Sequence, residues 1–219
     1  MSEERPNTLV GRTVDDRYRL EARIGAGGLG EVFRARHLRM ERSFAIKLLQ
    51  PNVATQADFI ERFDREAKAL SRLSHPYCVE VTDYGVCRGC GPYLVMELLE
   101  GTPLSGLTKG DKGAPPEAAL PNLAELPLGQ SLELCRKILI GLEHAHRQGI
   151  AHRDLKPDNI MVVRDPVDPG ALLPKILDFG LAKIHAGDAE SSALTQAGLI
   201  IGTPYYMSPE RIADAKNAD

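Results

Sequence analysis

The residues His152 to Asn159, "HRDLKPDN", gather an imidazole, a guanidinium, two carboxylates, an ammonium and a carboxamide into eight consecutive positions. Such a set suits the transfer of a phosphoryl group, whose charge must be neutralised while its acceptor is oriented. Asp154 can take a hydroxyl proton from the acceptor as the new bond forms. Lys156 can reach the group in flight as a point charge. Asn159 can offer a carboxamide oxygen to a hard cation, and Asp178 of "LDFG" can offer a second oxygen to the same cation. Gly180 permits a sharp turn after it.

Two further stretches fit an anionic ligand. In "IGAGGLGEV" the glycines at 25, 27 and 30, with Gly28, let backbone amides approach an anion without side chains in the way. The same spacing occurs in dinucleotide-binding folds, where it joins a strand to a helix. Here Val32 and Phe33 begin a strand-like run instead, which argues against that use; a Gly-rich turn in an edge hairpin remains the plain reading. Lys47 lies in the apolar "FAIKLL", where an ammonium needs a partner. Glu66, on the polar side of the following helical segment, is the candidate; a snorkelling strand lysine is the alternative. Taken singly, each of these residues reads as an ordinary surface charge or turn.

The elements that must hold them are legible from periodicity. "YRLEARIG" places Tyr18, Leu20, Ala22 and Ile24 on one side of a strand. "EVFRARH" and "SFAIKLL" follow as strands, and "CVEVTDYGV" and "PYLVMELL" complete a five-stranded sheet. Residues 58–73 carry Phe59, Phe63, Ala67 and Leu70 at helical spacing, with Asp58 at the cap position and His75-Pro76 as the stop. Residues 101–129 are rich in Gly and Pro and read as a connection with one short helix. A helix over 130–148 puts Leu132, Cys135, Leu139, Leu142 and His146 on one face and ends at Gly149. "IMVV" and "KILDF" then read as a short strand pair.

The chain has 219 residues, 43% hydrophobic and 26% charged, with a formal net charge of -3. Bulk charge therefore points to no nucleic-acid partner. No apolar run reaches the ~18 residues a membrane helix needs, and the acidic start "MSEERPNTLV" has no signal-peptide core, so a cytoplasmic location is expected. Cys87 and Cys90 form one C-x-x-C. That is half of a structural zinc set, and reads as a Gly-rich hairpin tip carrying two thiols.

The ordered set "GAGGLGEV", "AIK", Glu66 in "REAKAL", "HRDLKPDN", "DFG" and "GTPYYMSPE" resembles the protein kinase family, in particular bacterial kinases of the eukaryotic type. The resemblance runs from Tyr18 to the end of the chain. It implies an α+β, two-lobed fold: an N-terminal extension over 1–17, an N-lobe of five antiparallel strands and one helix over 18–100, and a mainly helical, incomplete C-lobe over 101–219. It implies ATP and Mg2+ as cofactors. Ile24, Gly25, Gly27, Gly30, Val32, Ala45, Lys47, Glu66, Met96, Glu97 and Leu99 would surround ATP. Asp154 would be the base, with Lys156 beside it, and Asn159 and Asp178 would be the metal ligands. The form "HRDLKPDN" implies serine/threonine specificity towards protein substrates, with Thr203 placed to contact Asp154 and Lys156. Arg153 would bind a phosphate on Ser191, Ser192 or Thr195 after autophosphorylation, for which a homodimer is the expected arrangement. The family pattern continues beyond Glu210 with further helices, so the chain reads as C-terminally truncated. A nucleotide-binding regulatory module with little turnover is the alternative.

Overall fold

The structure is a computed structural model and describes residues 9–27, 30–49, 57–109, 120–168, 170–179 and 206. The chain divides into two compact units. The first comprises residues up to Ser71 together with Glu80–Leu98; the second comprises Arg72–Val79 and everything from Leu99 onward.

The first unit is an antiparallel sheet with one helix. Its strands are β1 (Thr13–Val14), β2 (Tyr18–Gly27), β3 (Gly30–His37), β4 (Ser43–Leu49), β5 (Val81–Cys87) and β6 (Gly91–Glu97), in the spatial order β1-β2-β3-β4-β6-β5. The expected five strands are thus joined by a sixth, the two-residue β1, which pairs Val14 with Tyr18. Two-residue alternation sets one face of β3 and β4: Phe33, Ala35, Phe44, Ile46 and Leu48 point into one buried cluster with Tyr93 and Val95. It fails in β2. Register shifts between Leu20 and Ala22 and between Arg23 and Gly25 re-aim the strand, so Tyr18 and Leu20 are buried while Ala22 and Ile24 are exposed.

Helix α1 (Ala57–Leu70) buries Phe59, Phe63, Ala67 and Leu70, the stripe expected from their spacing. It begins one residue before Asp58, which therefore lies in the first turn rather than at the cap, and it ends well before His75-Pro76. Phe63 meets the ring of Tyr84 on β5 edge-on, with centroids 6.1 Å apart. Arg17 and Asp83 tie the ends of the sheet together: the guanidinium donates to Asp83 at 2.7 Å, to Asp15 at 2.8 Å and to the Tyr93 hydroxyl at 2.9 Å.

The second unit holds a three-stranded sheet, β7 (Gly101–Pro103), β8 (Ile160–Arg164) and β9 (Leu172–Ile176), with β8 in the centre. Helix α2 (Leu104–Lys109) supplies the short helix expected in the connection. Helix α3 (Leu128–Arg147) ends in a Schellman motif: Ile150 N–H donates to Ala145 and Gly149 N–H to His146, with Gly149 at φ 73°. The stripe of Leu132, Cys135, Leu139, Leu142 and His146 is not the face that α3 buries. Leu134, Lys137, Gly141 and Ala145 are buried, whereas Leu132, Cys135, Leu139 and His146 are exposed. Gly141 lies on the buried face, where its missing side chain lets Tyr77 and Ile176 approach to within about a methyl's width. Lys137 sits on that face because its ammonium donates to the Leu172 carbonyl at 2.9 Å.

Candidate active site

In the first unit, register and the two-residue period bring four of the proposed ATP-binding residues to one face of the sheet. Val32 is opposite Lys47, and Lys47 is opposite Leu94; Ala45 is opposite Met96. These side chains lie on the face away from Phe33, Ile46 and Val95. Gly25 pairs with Val32 at the edge of that row. Lys47 is 5% exposed. An ammonium held on a strand among apolar neighbours is kept there at a desolvation cost that a plain surface lysine avoids. Glu66 lies on α1 in the same unit, mostly buried, with Arg65 3.6 Å away. Ile24 projects into solvent, 51% exposed.

The glycines differ in what they permit. Gly30 has φ +145°, and a Cβ there would lie 2.0 Å from the Leu48 carbonyl oxygen; no other residue fits. Gly27 has nothing within 4 Å among the described residues, so its small size is not required by packing. Glu97 ends β6, its N–H donating to the Glu80 carbonyl and its carboxylate accepting from the Glu80 N–H; Leu99 belongs to the second unit.

In the second unit the segment 152–159 folds on itself. Lys156 Nζ is 2.8 Å from Asp154 Oδ2. Asn159, at the end of a short 3-10 turn over Pro157–Asn159, donates from Nδ2 to the Asp154 carbonyl at 2.7 Å and to its carboxylate at 3.2 Å. Leu177 N–H donates to the Asn159 carbonyl at 2.8 Å, so the residues next to Asp178 are laced to Asn159 where β8 begins and β9 ends. Asp154, Lys156, Asn159 and the chain at Asp178 are therefore brought together by local hydrogen bonds and one strand pair.

Arg153 and Asp178 both have positive φ, 64° and 58°, a left-handed conformation uncommon for non-glycine residues, which Asp15, Asp16 and Glu41 also adopt in the first unit. His152 and Phe179 were not among the candidate residues, yet they carry the scaffold. The buried His152 accepts at Nδ1 from Asp154 N–H at 3.3 Å, while Nε2 meets the Leu177 carbonyl at 2.8 Å. That pattern fits the neutral Nε2–H tautomer, and burial holds the His152 pKa below its usual value. The Phe179 ring lies 4.9 Å from the imidazole. Their signal was present: an apolar residue and an imidazole flanking the two carboxylate-bearing segments.

The donor set fits a hard cation. Asn159 uses its amide nitrogen for both bonds to Asp154, which leaves the carboxamide oxygen for a cation; Asp178 would contribute a carboxylate. Two protein oxygens suit magnesium, which takes its other ligands from phosphate and water. Among the described residues no group of three or more His, Cys, Asp or Glu forms an alternative metal site.

The family model for the protein kinase domain matches residues 18–219. The chain belongs to the protein kinase family. It is 39% identical over 204 residues to the serine/threonine-protein kinase pkn3 of Myxococcus xanthus, covering 92% of this chain and 34% of that protein. It is 37% identical over 211 residues to the serine/threonine-protein kinase PknL of Mycobacterium tuberculosis, covering 96% of this chain and 47% of that one. This kinase-family chain thus spans roughly a third to a half of the length of these relatives. The Mycobacterium tuberculosis PknI kinase domain superposes with a TM-score of 0.61 at 27% identity, over 78% of this chain and 62% of that domain. The α+β kinase fold expected from the motifs is the observed one. Gly28, Gly180, Ser191, Ser192, Thr195, Thr203 and Glu210 lie outside the described residues.

Proposed function

We propose that this chain carries the catalytic segment of a serine/threonine protein kinase, moving the γ-phosphoryl group of ATP to Ser or Thr hydroxyls of proteins. The observation that carries the reading is the arrangement of Asp154, held by Asn159 and in contact with Lys156. Asp154 would accept the hydroxyl proton and orient the attacking oxygen. Lys156, 2.8 Å from Asp154, would follow the developing charge on the phosphoryl oxygens. Lys47, with Glu66 as its partner, would hold the α- and β-phosphates, and the backbone at Gly25, Gly27 and Gly30 would cover them. Val32, Ala45 and Met96 would supply the apolar surface for the adenine ring, and main-chain groups of Glu97 and Leu99 its polar edge. Asn159 and Asp178 would hold Mg2+, which neutralises phosphate charge when bound.

Among the described residues no helix is long and apolar enough to cross a membrane. Reliance on ATP supports action on the cytoplasmic side. Arg153 supports a regulatory reading in which one copy phosphorylates Ser191, Ser192 or Thr195 of another and the guanidinium pairs with the phosphate.

Phosphate transfer from labelled ATP and magnesium to a generic basic protein tests the reading, with Asp154→Asn as the control. Transfer lost in the control supports it. Nucleotide-induced thermal stabilisation with no transfer by the unaltered chain would favour a binding module instead.

A further inference from the structure

The kinase chemistry leaves the C-x-x-C motif unused. Cys87 is the last residue of β5, Cys90 sits in the turn before β6, and the two are joined as a disulfide. The turn is built for close approach: Gly89 and Gly91 both have positive φ, 86° and 80°, and Cys87 pairs with Gly91 across the hairpin. The two Cα atoms are 5.3 Å apart, a separation that a disulfide spans.

The two sulfurs differ in access. Cys87 is 7% exposed and belongs to the cluster of Val14, Tyr18, Leu20 and Tyr93, whereas Cys90 is only partly buried and packs on its rim. Of the two free thiols, Cys78 is buried, which pushes its pKa up to about 11, and Cys135 on α3 is exposed; the Cys87–Cys90 peptide is read separately from both. The bond also lies where a staple matters. β5 is the edge strand and is tied to the sheet on one side only, through β6.

We propose that Cys87 and Cys90 form a thiol–disulfide exchange site for a low-molecular-weight thiol/disulfide couple, which fastens and releases the β5–β6 hairpin. In the releasing direction a thiolate attacks Cys90, the accessible sulfur. The Cys87–Cys90 bond breaks and Cys87 leaves with the electron pair and takes up a proton. A second thiol then attacks the mixed disulfide at the small molecule's sulfur and frees Cys90. The sum is one protein disulfide and two thiols giving one protein dithiol and one small disulfide, a two-electron exchange; fastening is the reverse. Release means loss of the covalent staple only: the β5–β6 ladder and the apolar cluster around Cys87 do not depend on the bond, so the reduced chain should stay folded. Closing so short a loop raises the melting temperature by about 4 °C. This site stands independently of the phosphotransfer reading.

The test takes the whole chain through glutathione buffers of varied ratio, followed by alkylation and peptide mass spectrometry. In oxidised glutathione the peptide bearing Cys87 and Cys90 should be unalkylated and internally bonded; in reduced glutathione it should carry two alkyl groups, with the lower melting temperature. Cys87→Ser should accumulate a glutathione adduct on Cys90 at least ~10-fold faster than Cys90→Ser does on Cys87, because access governs attack. If a variant fails to fold, the reversible titration of the unaltered chain decides alone. A pair still alkylated in excess oxidised glutathione overturns the proposal. So does a bond that reduced glutathione cannot open in the folded chain, equal adduct rates in the two variants, or identical melting temperatures in the two states.

Discussion

The Asn159 carboxamide donates to both the main-chain carbonyl and the carboxylate of Asp154, at 2.7 and 3.2 Å. One side chain thereby fixes the loop and aims its acid. Asn159→Ala removes a largely buried donor from both acceptors, and is expected to cost about 1–3 kcal/mol of stability. It should also lower phosphate transfer more steeply than Asp158→Ala, whose carboxylate accepts from Ser105 rather than from the catalytic segment. Denaturant melts and transfer assays on the two variants check this.

Asp154→Asn keeps the shape and the hydrogen-bond reach while removing the base. Transfer should fall by about 10²–10⁴-fold, the range for a positioned general base, with ATP affinity little changed. Equal transfer by Asp154→Asn and the unaltered chain would remove Asp154 from the mechanism.

The glycines separate folding from ligand binding. Gly30→Ala places a methyl against the Leu48 carbonyl at a backbone angle that suits glycine, and should destabilise the first unit by about 3 kcal/mol. Gly27→Ala meets open space among the described residues, so it should leave the melting temperature within ~1 °C. Any loss of ATP affinity in Gly27→Ala then reports on the ligand alone, and calorimetric titration measures it.

Acid should loosen the second unit. Burial lowers the His152 pKa, and burial together with the neighbouring His144 and Lys175 lowers that of His75, whose ring stacks 4.7 Å from His144. For a histidine depressed in the folded state, the unfolded chain binds more protons once the pH falls below its ordinary value of about 6.5. Stability is therefore full above that pH and declines as pH drops through it towards the folded values. Thermal melts from pH 8 to 5 should show the fall, and His75→Asn should flatten part of it.

The polar cluster at the sheet's edge should matter more than the surface pairs. Asp83 accepts from Arg17 and from the Tyr18 hydroxyl at 2.8 Å. Asp83→Ala strands a largely buried hydroxyl and should cost about 1–2 kcal/mol. Glu133→Ala, which breaks an exposed pair with Arg136, should leave the denaturation midpoint unchanged.

The order of residues alone carried the family and most of the elements. "HRDLKPDN" and "DFG" are informative because their chemistry is local: the hydrogen bonds joining Asp154, Lys156 and Asn159 span no more than five positions. The stripe Phe59, Phe63, Ala67 and Leu70 is equally local, since helical spacing puts those residues on one side whatever they pack against. Three features were decided by long-range packing. The buried face of α3 is the one that Tyr77 and Ile176 reach at Gly141, which periodicity within the helix cannot disclose. The exposure of Ile24 depends on bulges set by pairing with β3. The Cys87–Cys90 bond depends on a turn whose glycines adopt positive φ and on a neighbouring cluster that buries one sulfur and not the other. Spacing states which groups can meet along the chain; only the folded backbone states which sides face solvent.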